Sequence, residues 1–538
     1  MSNVIETPVL IVGAGPVGLA LSIELGWRGI ESTLIDQGDG TLEHPRTGLI
    51  AVRTMEMFRR WGFAENIRNC GFPDDYELSM VFCTSLNGHR LDKEFYPSMK
   101  DTPTPPETPE KKQRCPQLWM QPMLTEKALS QPNSSVVFRR RLDSFTQDAD
   151  NVIAKVINLD TNETLTFKSK FLVGADGATS NVRKQLGIEL QGRLLSYSVN
   201  ILITARDLTS KHRMGPAERY LFVGPEGTWG NLTVVDGSEI WRLTVLGTDE
   251  KMDLATFDAN AWVLRALGDD GIEFEIHSVQ PWARSEMLAE KFISGRVVLA
   301  GDSLHTMSPT GGMGMNTGMQ EVLDLGWKLE GTLNGWGGKK LLSSFENERK
   351  PVAARNIGFS TFNFKSWLDT PDPSAVCDDT ESGAFARAQI GRRLRDSTRV
   401  EWESLGLQIG HRYENSPICV ADGTPPTPDE YSAYIPTSRP GSRAPHVWLK
   451  DGRSTLDLFG KGFTLLVLGE GLDAETSKIK SAFDLQGVPL TVENIQDSQV
   501  ASAYDRKLVL VRPDGHVGWR GESVEDANQI VDTLRGAT

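Results

Sequence analysis

Apolar residues run unbroken from Val9 to Val12 and stop at a glycine-rich turn, the pattern of a short buried strand. Pro16 to Arg28 keeps helical spacing, with proline in the first turn, where its missing N–H costs nothing. Ser32–Ile35 is a second apolar run that ends at Asp36, so the chain opens as strand, helix, strand. Phe167–Val173 and Arg296–Ala300 give two more buried-strand patterns. Between them the period falls to two, and Asn200–Ala205, Tyr220–Val223, Trp229–Val235 and Ile240–Leu246 read as antiparallel strands, the last pair joined by a tight turn at Asp236-Gly237. Met319, Val322, Leu323, Gly326 and Leu329 mark a helix from about Met315 to Gly331. Residues 341–420 read as mostly helical.

Two stretches lack any period. Pro97 to Pro116 is rich in Pro, Thr and charge and reads as a surface excursion; Tyr413 to Pro445 reads as a linker. Beyond Gly441 a compact unit follows: a strand at Phe463–Leu468, a helix at Thr476–Leu485, a hairpin of Leu508–Arg512 and Val517–Arg520 around Asp514-Gly515, and a closing helix at Val524–Leu534. Its order resembles a thioredoxin-like fold, and it holds no cysteine, so thiol chemistry is not expected there; a structural or homodimer-forming role is.

Three separated motifs carry the chemistry. In Gly13-Ala14-Gly15-Pro16-Val17-Gly18, Gly13 lets the chain turn off its strand, Gly15 admits a diphosphate to the backbone, and Gly18 lets the helix pack close. The helix end favours an anion, and Asp36 is placed to accept ribose hydroxyls. Alone this motif suits NAD as well as FAD. Gly174-Ala175-Asp176-Gly177 ends another strand. Asp302 ends a third, where the hydroxyls of ribitol need an acceptor, and the following turn, Gly311-Gly312-Met313-Gly314-Met315-Asn316, offers bare N–H groups to the flavin edge that is anionic when reduced. Together they predict FAD along its full length.

The expected fold class is α/β: a Rossmann-like FAD-binding domain (1–190 and 281–365), an inserted antiparallel β-sheet substrate domain (191–280), a helical segment and linker (366–440), and a C-terminal thioredoxin-like α/β domain (441–538) without Cys-x-x-Cys. A length of 538 residues suits such a count. The net charge of −14 argues against nucleic acid as a partner. The start shows no signal-peptide pattern, and no run approaches the roughly 18 apolar residues of a membrane span. Five scattered cysteines predict neither a disulfide framework nor a metal site, and a cytoplasmic location is expected.

The first motif, VGADGATSNVRKQLG and GRVVLAGDSLHTMSPTGGMGMNTGMQEVLDLGWKL make the chain resemble the FAD-dependent aromatic hydroxylases of the para-hydroxybenzoate hydroxylase and phenol hydroxylase superfamily, over about Thr7 to Pro351. The resemblance implies a monooxygenase that uses NADH or NADPH and O2, through a flavin C4a-hydroperoxide, to hydroxylate a phenolic ring ortho or para to its hydroxyl. It implies diphosphate contact by Arg46, ribityl contact by Gln121 and Asp302, FAD and NAD(P)H handling by Asp176, and flavin-edge contact by Gly314, Met315 and Asn316. Arg53 lies close to the Arg46 loop and reads equally as a helix-surface arginine. The family's proton-accepting residues are replaced here, since their positions fall at Phe222, Thr47 and Trp282.

That leaves Tyr220, Arg242 and His305 as catalytic candidates. Each has a plainer reading: Tyr220 as filling of a half-buried sheet, Arg242 as a surface arginine rather than a ligand for an acidic substituent, and His305 as a satisfied histidine near the flavin loop. Phe222, Trp229, Trp282 and Pro309 are candidate substrate contacts; Trp241 is a further candidate wall, and each tryptophan reads equally as core. A single-ring phenol is the favoured substrate. A polyketide or antibiotic tailoring hydroxylase, a same-fold dehydrogenase and a flavin-bound sensor are the alternatives.

Overall fold

The computed structural model describes residues 4–42, 44–45, 47–248 and 250–538. Its first sheet is parallel through five neighbours, in the order Ser134–Val137, Ser32–Ile35, Val4–Val12, Thr164–Gly174 and Val297–Leu299. Apolar runs with no alternation are what a sheet covered on both faces requires. Val9, Leu10, Ile11, Leu172, Val173 and Val298 are accordingly in the core, beneath the helices Pro16–Arg28 and Met313–Leu333. Because the strands are parallel, Val12, Ile35, Gly174 and Leu299 all end at one edge, the edge where ligands bind in such sheets.

The second sheet has eight strands and a different boundary from the expected one. Leu190–Thr204 and Glu275–Ala289 run along most of it, but its far edge is built from Met80–Cys83 and Arg90–Glu94, which the sequence reading assigned to the FAD-binding domain. Met80–Cys83 joins Arg219–Gly224 in parallel, a pairing across more than 130 residues of chain that no local pattern announces. Pro97 to Pro116 is also more than a surface excursion. Thr108, Glu110 and Gln113 are buried, and Glu110 receives Arg59 and Arg68. Its prolines punctuate a packed loop whose polar groups find partners.

The C-terminal unit is a four-stranded mixed sheet, Leu490–Asn494, Phe463–Val467, Leu508–Val511 and Val517–Gly521, with helices Asp473–Leu485 and Ala527–Leu534 in contact. The strand Leu490–Asn494 and the helix Ser498–Tyr504 went unseen in the sequence because both are short and amphipathic only in part. This unit is bound to the rest by buried charge. Arg512 meets Glu348 at 2.5 Å, Asp514 at 2.6 Å and Asp324 at 3.1 Å, and Lys328 meets Asp324 at 2.7 Å, all with fully or almost fully buried side chains. Arg53 is likewise not on a surface: it donates to Glu56 at 2.8 Å and to the Asp514 carbonyl at 2.7 Å.

Glu56 has a pH consequence. It accepts from Thr108 at 2.7 Å and also pairs with Arg443. Burial pushes its carboxyl up, but Arg443 and Arg53 outweigh that and hold it at about 2, below its ordinary 4.5. A depressed folded-state pKa contributes stability that is present above the unfolded value and is lost as pH falls through the folded one; here the shift corresponds to about 3 kcal/mol. Thermal stability should therefore drop between about pH 4.5 and pH 2, and Glu56→Gln should lower it at neutral pH while flattening that slope. Melting curves across the range check this; a variant with the parent's slope would remove Glu56 from the account.

Candidate active site

The three motifs meet at the carboxyl edge of the parallel sheet. The Gly13 N–H donates to the Ile35 carbonyl at 2.8 Å, Ala14 N–H to the Asp36 carboxylate at 2.6 Å, Ala175 N–H to the Val12 carbonyl at 2.8 Å, and Ala300 N–H to the Gly174 carbonyl at 3.0 Å. Ser303 Oγ donates to that same carbonyl at 2.7 Å. Gly13 has φ +110°, which favours glycine, and a Cβ on Gly18 would stand 1.9 Å from the Gly13 oxygen. A Cβ on Gly15, in contrast, would meet nothing within 4 Å. That open backbone, at a helix N-terminus and beside a strand-end carboxylate, fits the diphosphate and ribose of FAD. The same room exists at Gly314, whose nearest neighbour would be Met307 Cγ at 3.9 Å.

Several of the residues expected to touch the cofactor have other work. Asp176 accepts from Ser180 Oγ at 2.5 Å and from the Asn181 and Val182 N–H groups at 2.7 and 3.1 Å, so its carboxylate starts the helix Asn181–Gln185. Asn316 is fully buried, with four hydrogen bonds of its own side chain: from Ala51 N–H and Thr54 Oγ1, and to the Leu49 and Gly312 carbonyls. It braces the glycine turn against the Leu49–Thr54 segment. Gln121 is buried and accepts from Gln117 at 3.0 Å. Asp302 lies in the one-turn helix Gly301–Ser303, and Met315 packs against the core of the FAD-binding part. Arg46 lies outside the described residues.

Beside the glycine turn opens a cavity. Pro309, Gly311 and Gly312 form one wall, Leu49 another, and a row of side chains crossing three strands, Arg219, Thr233 and Arg242, a third. Side chains alternate across a strand, so this row excludes its neighbours. Tyr220 and Phe222 point to the opposite face, into the core under the helix Ala259–Leu267. The Tyr220 hydroxyl donates to the Gly215 carbonyl at 2.6 Å, and burial pushes it well above the usual tyrosine range. Phe222 stacks on Trp229 with centroids 4.9 Å apart, and Arg265 covers Trp229. Trp241 is fully buried in the same core, and Trp282 lies on the strand Glu275–Ala289 without lining the cavity. His305 is also elsewhere. It is buried and bonded to Glu321 at 2.7 Å; burial favours its neutral form, but Glu321 outweighs that and raises its pKa. Glu321 in turn accepts the Gly301 N–H at 2.8 Å. Of the catalytic and substrate candidates, the structure brings Arg242 and Pro309 into the cavity and leaves out the rest.

The two families described by models place these features in context. Residues 6–360 match the FAD binding domain family and residues 437–537 the aromatic-ring hydroxylase C-terminal family. The chain belongs to the class A FAD-dependent aromatic hydroxylases. Among its relatives are the FAD-dependent monooxygenase apdD of Emericella nidulans, 30% identical over 98% of this chain and 90% of that one, and the 2,4-dichlorophenol 6-monooxygenase of Cupriavidus pinatubonensis, 30% identical over 99% and 97%. Chromopyrrolic acid-soaked RebC with bound 7-carboxy-K252c superposes with a TM-score of 0.93 at 39% identity, covering all of both chains. This chain is thus an FAD-dependent monooxygenase by family. No helix among the described residues is long and apolar enough to cross a membrane, and no group of described residues could hold a metal ion.

The hydroxylase's cavity has residues that sequence reasoning missed. Glu401, on the helix Glu381–Trp402, accepts from the Gly311 N–H at 3.0 Å, from Arg219 at 2.7 Å and from Trp367 Nε1 at 2.8 Å. It anchors the glycine turn from a helix nearly a hundred residues downstream, with no motif to betray it. Lys112 and Arg114 enter from the supposed excursion. Arg114 pairs with Glu218 at 3.0 Å. Among the described residues, Lys112 and Arg242 have no carboxylate partner; they donate to the carbonyls of Trp402 and Pro45, at 3.3 and 3.2 Å. Burial pushes Arg242 down to about 10, helped by Arg219 and Arg114, and pushes Lys112 down as well.

Proposed function

We propose that this monooxygenase hydroxylates an electron-rich aromatic acid, with NADH or NADPH as reductant and O2 as the oxygen source. The observation that carries this is the cavity's charge: among the described residues, four cationic side chains converge on it, and two of them have carboxylate partners. A buried cation without a counter-ion is disfavoured, and an anionic ligand relieves that cost. The names of the relatives supply both halves of such a substrate, a chlorophenol for one and a carboxylic acid for another.

FAD, once reduced, would supply the activation of O2 and its delivery to the ring. The chain's own residues do the rest. Arg242 and Lys112 would hold the acidic group and so fix which ring edge faces the glycine turn. Glu401 holds the Gly311 N–H in place, and Pro309 stands at the cavity wall beside it. Leu49 and Val235 make part of the wall apolar, which keeps water from the reacting edge.

The test is a panel of phenolic and indolic acids with their methyl esters, scored for coupled NAD(P)H oxidation, oxygen uptake and hydroxylated product. Acids should be preferred over esters. Arg242→Met and Lys112→Met should each raise KM for the acid by about 10- to 100-fold, leaving kcat within a few-fold, as expected for a lost charged contact worth roughly 1.4–2.7 kcal/mol. Equal KM for acid and ester would overturn the acidic reading, and product without oxygen uptake would overturn the monooxygenation.

A further inference from the structure

Cys70 and Cys115 are 45 positions apart in sequence and adjacent in space. Cys70 follows the short helix Ala64–Arg68, and its Sγ donates to the Arg114 carbonyl at 3.3 Å, the peptide group that leads directly into Cys115. The two thiols lie near enough to shift each other's acidity in opposite directions. Cys115 is fully buried, and its N–H is fixed to the Gly48 carbonyl at 2.9 Å. Cys70 is half-buried and is followed by Gly71, whose φ of +103° and open surroundings, Trp119 at 3.9 Å being the nearest atom to a Cβ, leave the turn room to adjust. One partner is therefore accessible and movable, the other anchored. Both neighbours of Cys115, Arg114 and Pro116, line the cavity.

From this juxtaposition we infer that Cys70 and Cys115 are a peroxide-reactive thiol pair that closes to a disulfide beside the active-site cavity. The Cys70 thiolate attacks one oxygen of hydrogen peroxide, breaking the O–O bond, releasing hydroxide and becoming a sulfenic acid. The Cys115 thiol then attacks that sulfur, loses its proton and expels the sulfenic oxygen as water. Two electrons pass from the sulfurs to the peroxide, and two waters result overall. The neighbouring Cys115 thiol outweighs burial and lowers the Cys70 thiol below the ordinary cysteine range, which favours its thiolate. Exposed Cys377 is shifted the other way, by burial of its sulfur and the nearby Glu226, and buried Cys83 is raised to a value where thiolate is absent. The inference does not depend on which aromatic acid the cavity takes, since peroxide leaks from any flavin oxygenase that turns over without transferring oxygen.

The experiment uses the FAD-loaded protein. A few equivalents of hydrogen peroxide are added, remaining thiols are blocked with N-ethylmaleimide in denaturant, and the digest is mapped by mass spectrometry without reductant. The expected result is a Cys70–Cys115 cross-linked peptide, with two of the five thiols lost and Cys377 still alkylated. In Cys115→Ser, Cys70 should instead be trapped by dimedone as the sulfenic acid, at a rate at least ten times that of Cys377. Oxidation of Cys377 ahead of Cys70, or over-oxidation of Cys70 with no cross-link in the parent protein, would overturn the inference.

Discussion

Arg512→Ala is expected to lower the melting temperature by roughly 10 °C and to sharply reduce soluble yield. The guanidinium is fully buried and bonds Glu348 through both of its terminal nitrogens, with Asp324 and Asp514 at one of them. Its removal leaves Lys328 to offset three carboxylates out of reach of water. Breaking a buried pair from one side costs about 3–5 kcal/mol, because the uncompensated charge remains. At about 2–4 °C per kcal/mol for a large domain, that gives the stated drop. Scanning fluorimetry is the measurement. Arg506→Ala, which removes an exposed pair with Asp505, is the control and should change little. If the two variants melt together, the C-terminal unit is not held by this cluster.

The second large effect concerns flavin. Gly18→Ala puts a methyl 1.9 Å from the Gly13 oxygen, a backbone atom of the turn just past the strand Val4–Val12; the Gly13 N–H is already bonded to Ile35. The turn must shift, and with it the Ala14 N–H that orients Asp36. We expect affinity for FAD to fall by at least about 100-fold, or roughly 2.7 kcal/mol, and the protein to leave gel filtration colourless. Gly15→Ala separates shape from folding. Its methyl has open space in the free protein, so apoprotein stability should match the parent while FAD uptake is lost. Absorbance near 450 nm and a fluorescence titration with FAD distinguish the outcomes; yellow Gly15→Ala protein would move the diphosphate elsewhere.

How much of this was readable in the chain depends on the range of the interaction involved. The parallel strands, the glycine turns and the strand-end acids are local signals. Ile240–Leu246 and Pro16–Arg28 were placed to the residue, and FAD binding followed from the three motifs taken together. The substrate side was not local. Tyr220 and Arg219 are adjacent, and which of them faces the cavity depends on which sheet face the helices Ala259–Leu267 and Glu381–Trp402 cover. Period two gives the alternation but not its phase relative to a distant helix. The carboxylates fared similarly: Asp36 was found because it ends a strand, whereas Glu401 was missed because its partner, Gly311, is 90 positions away. Asn316 stands between these cases. The motif located it, but its role in bracing the turn rests on contacts with Leu49, Ala51 and Thr54 that only the folded chain displays.

The pairing of Met80–Cys83 with Arg219–Gly224 bears on synthesis of the chain as well as on its final shape. Val4–Val12 waits for Thr164–Gly174, and that strand for Val297–Leu299, while the second sheet lacks its last strand until His305–Thr306 emerges. A ribosome that has made half of this polypeptide therefore carries two incomplete sheets with open edges. Such edges recruit other chains, and long-range parallel pairing is slow to form. Expression of the protein should thus respond more strongly to translation speed and to chaperones that shield nascent strands than its finished stability would suggest.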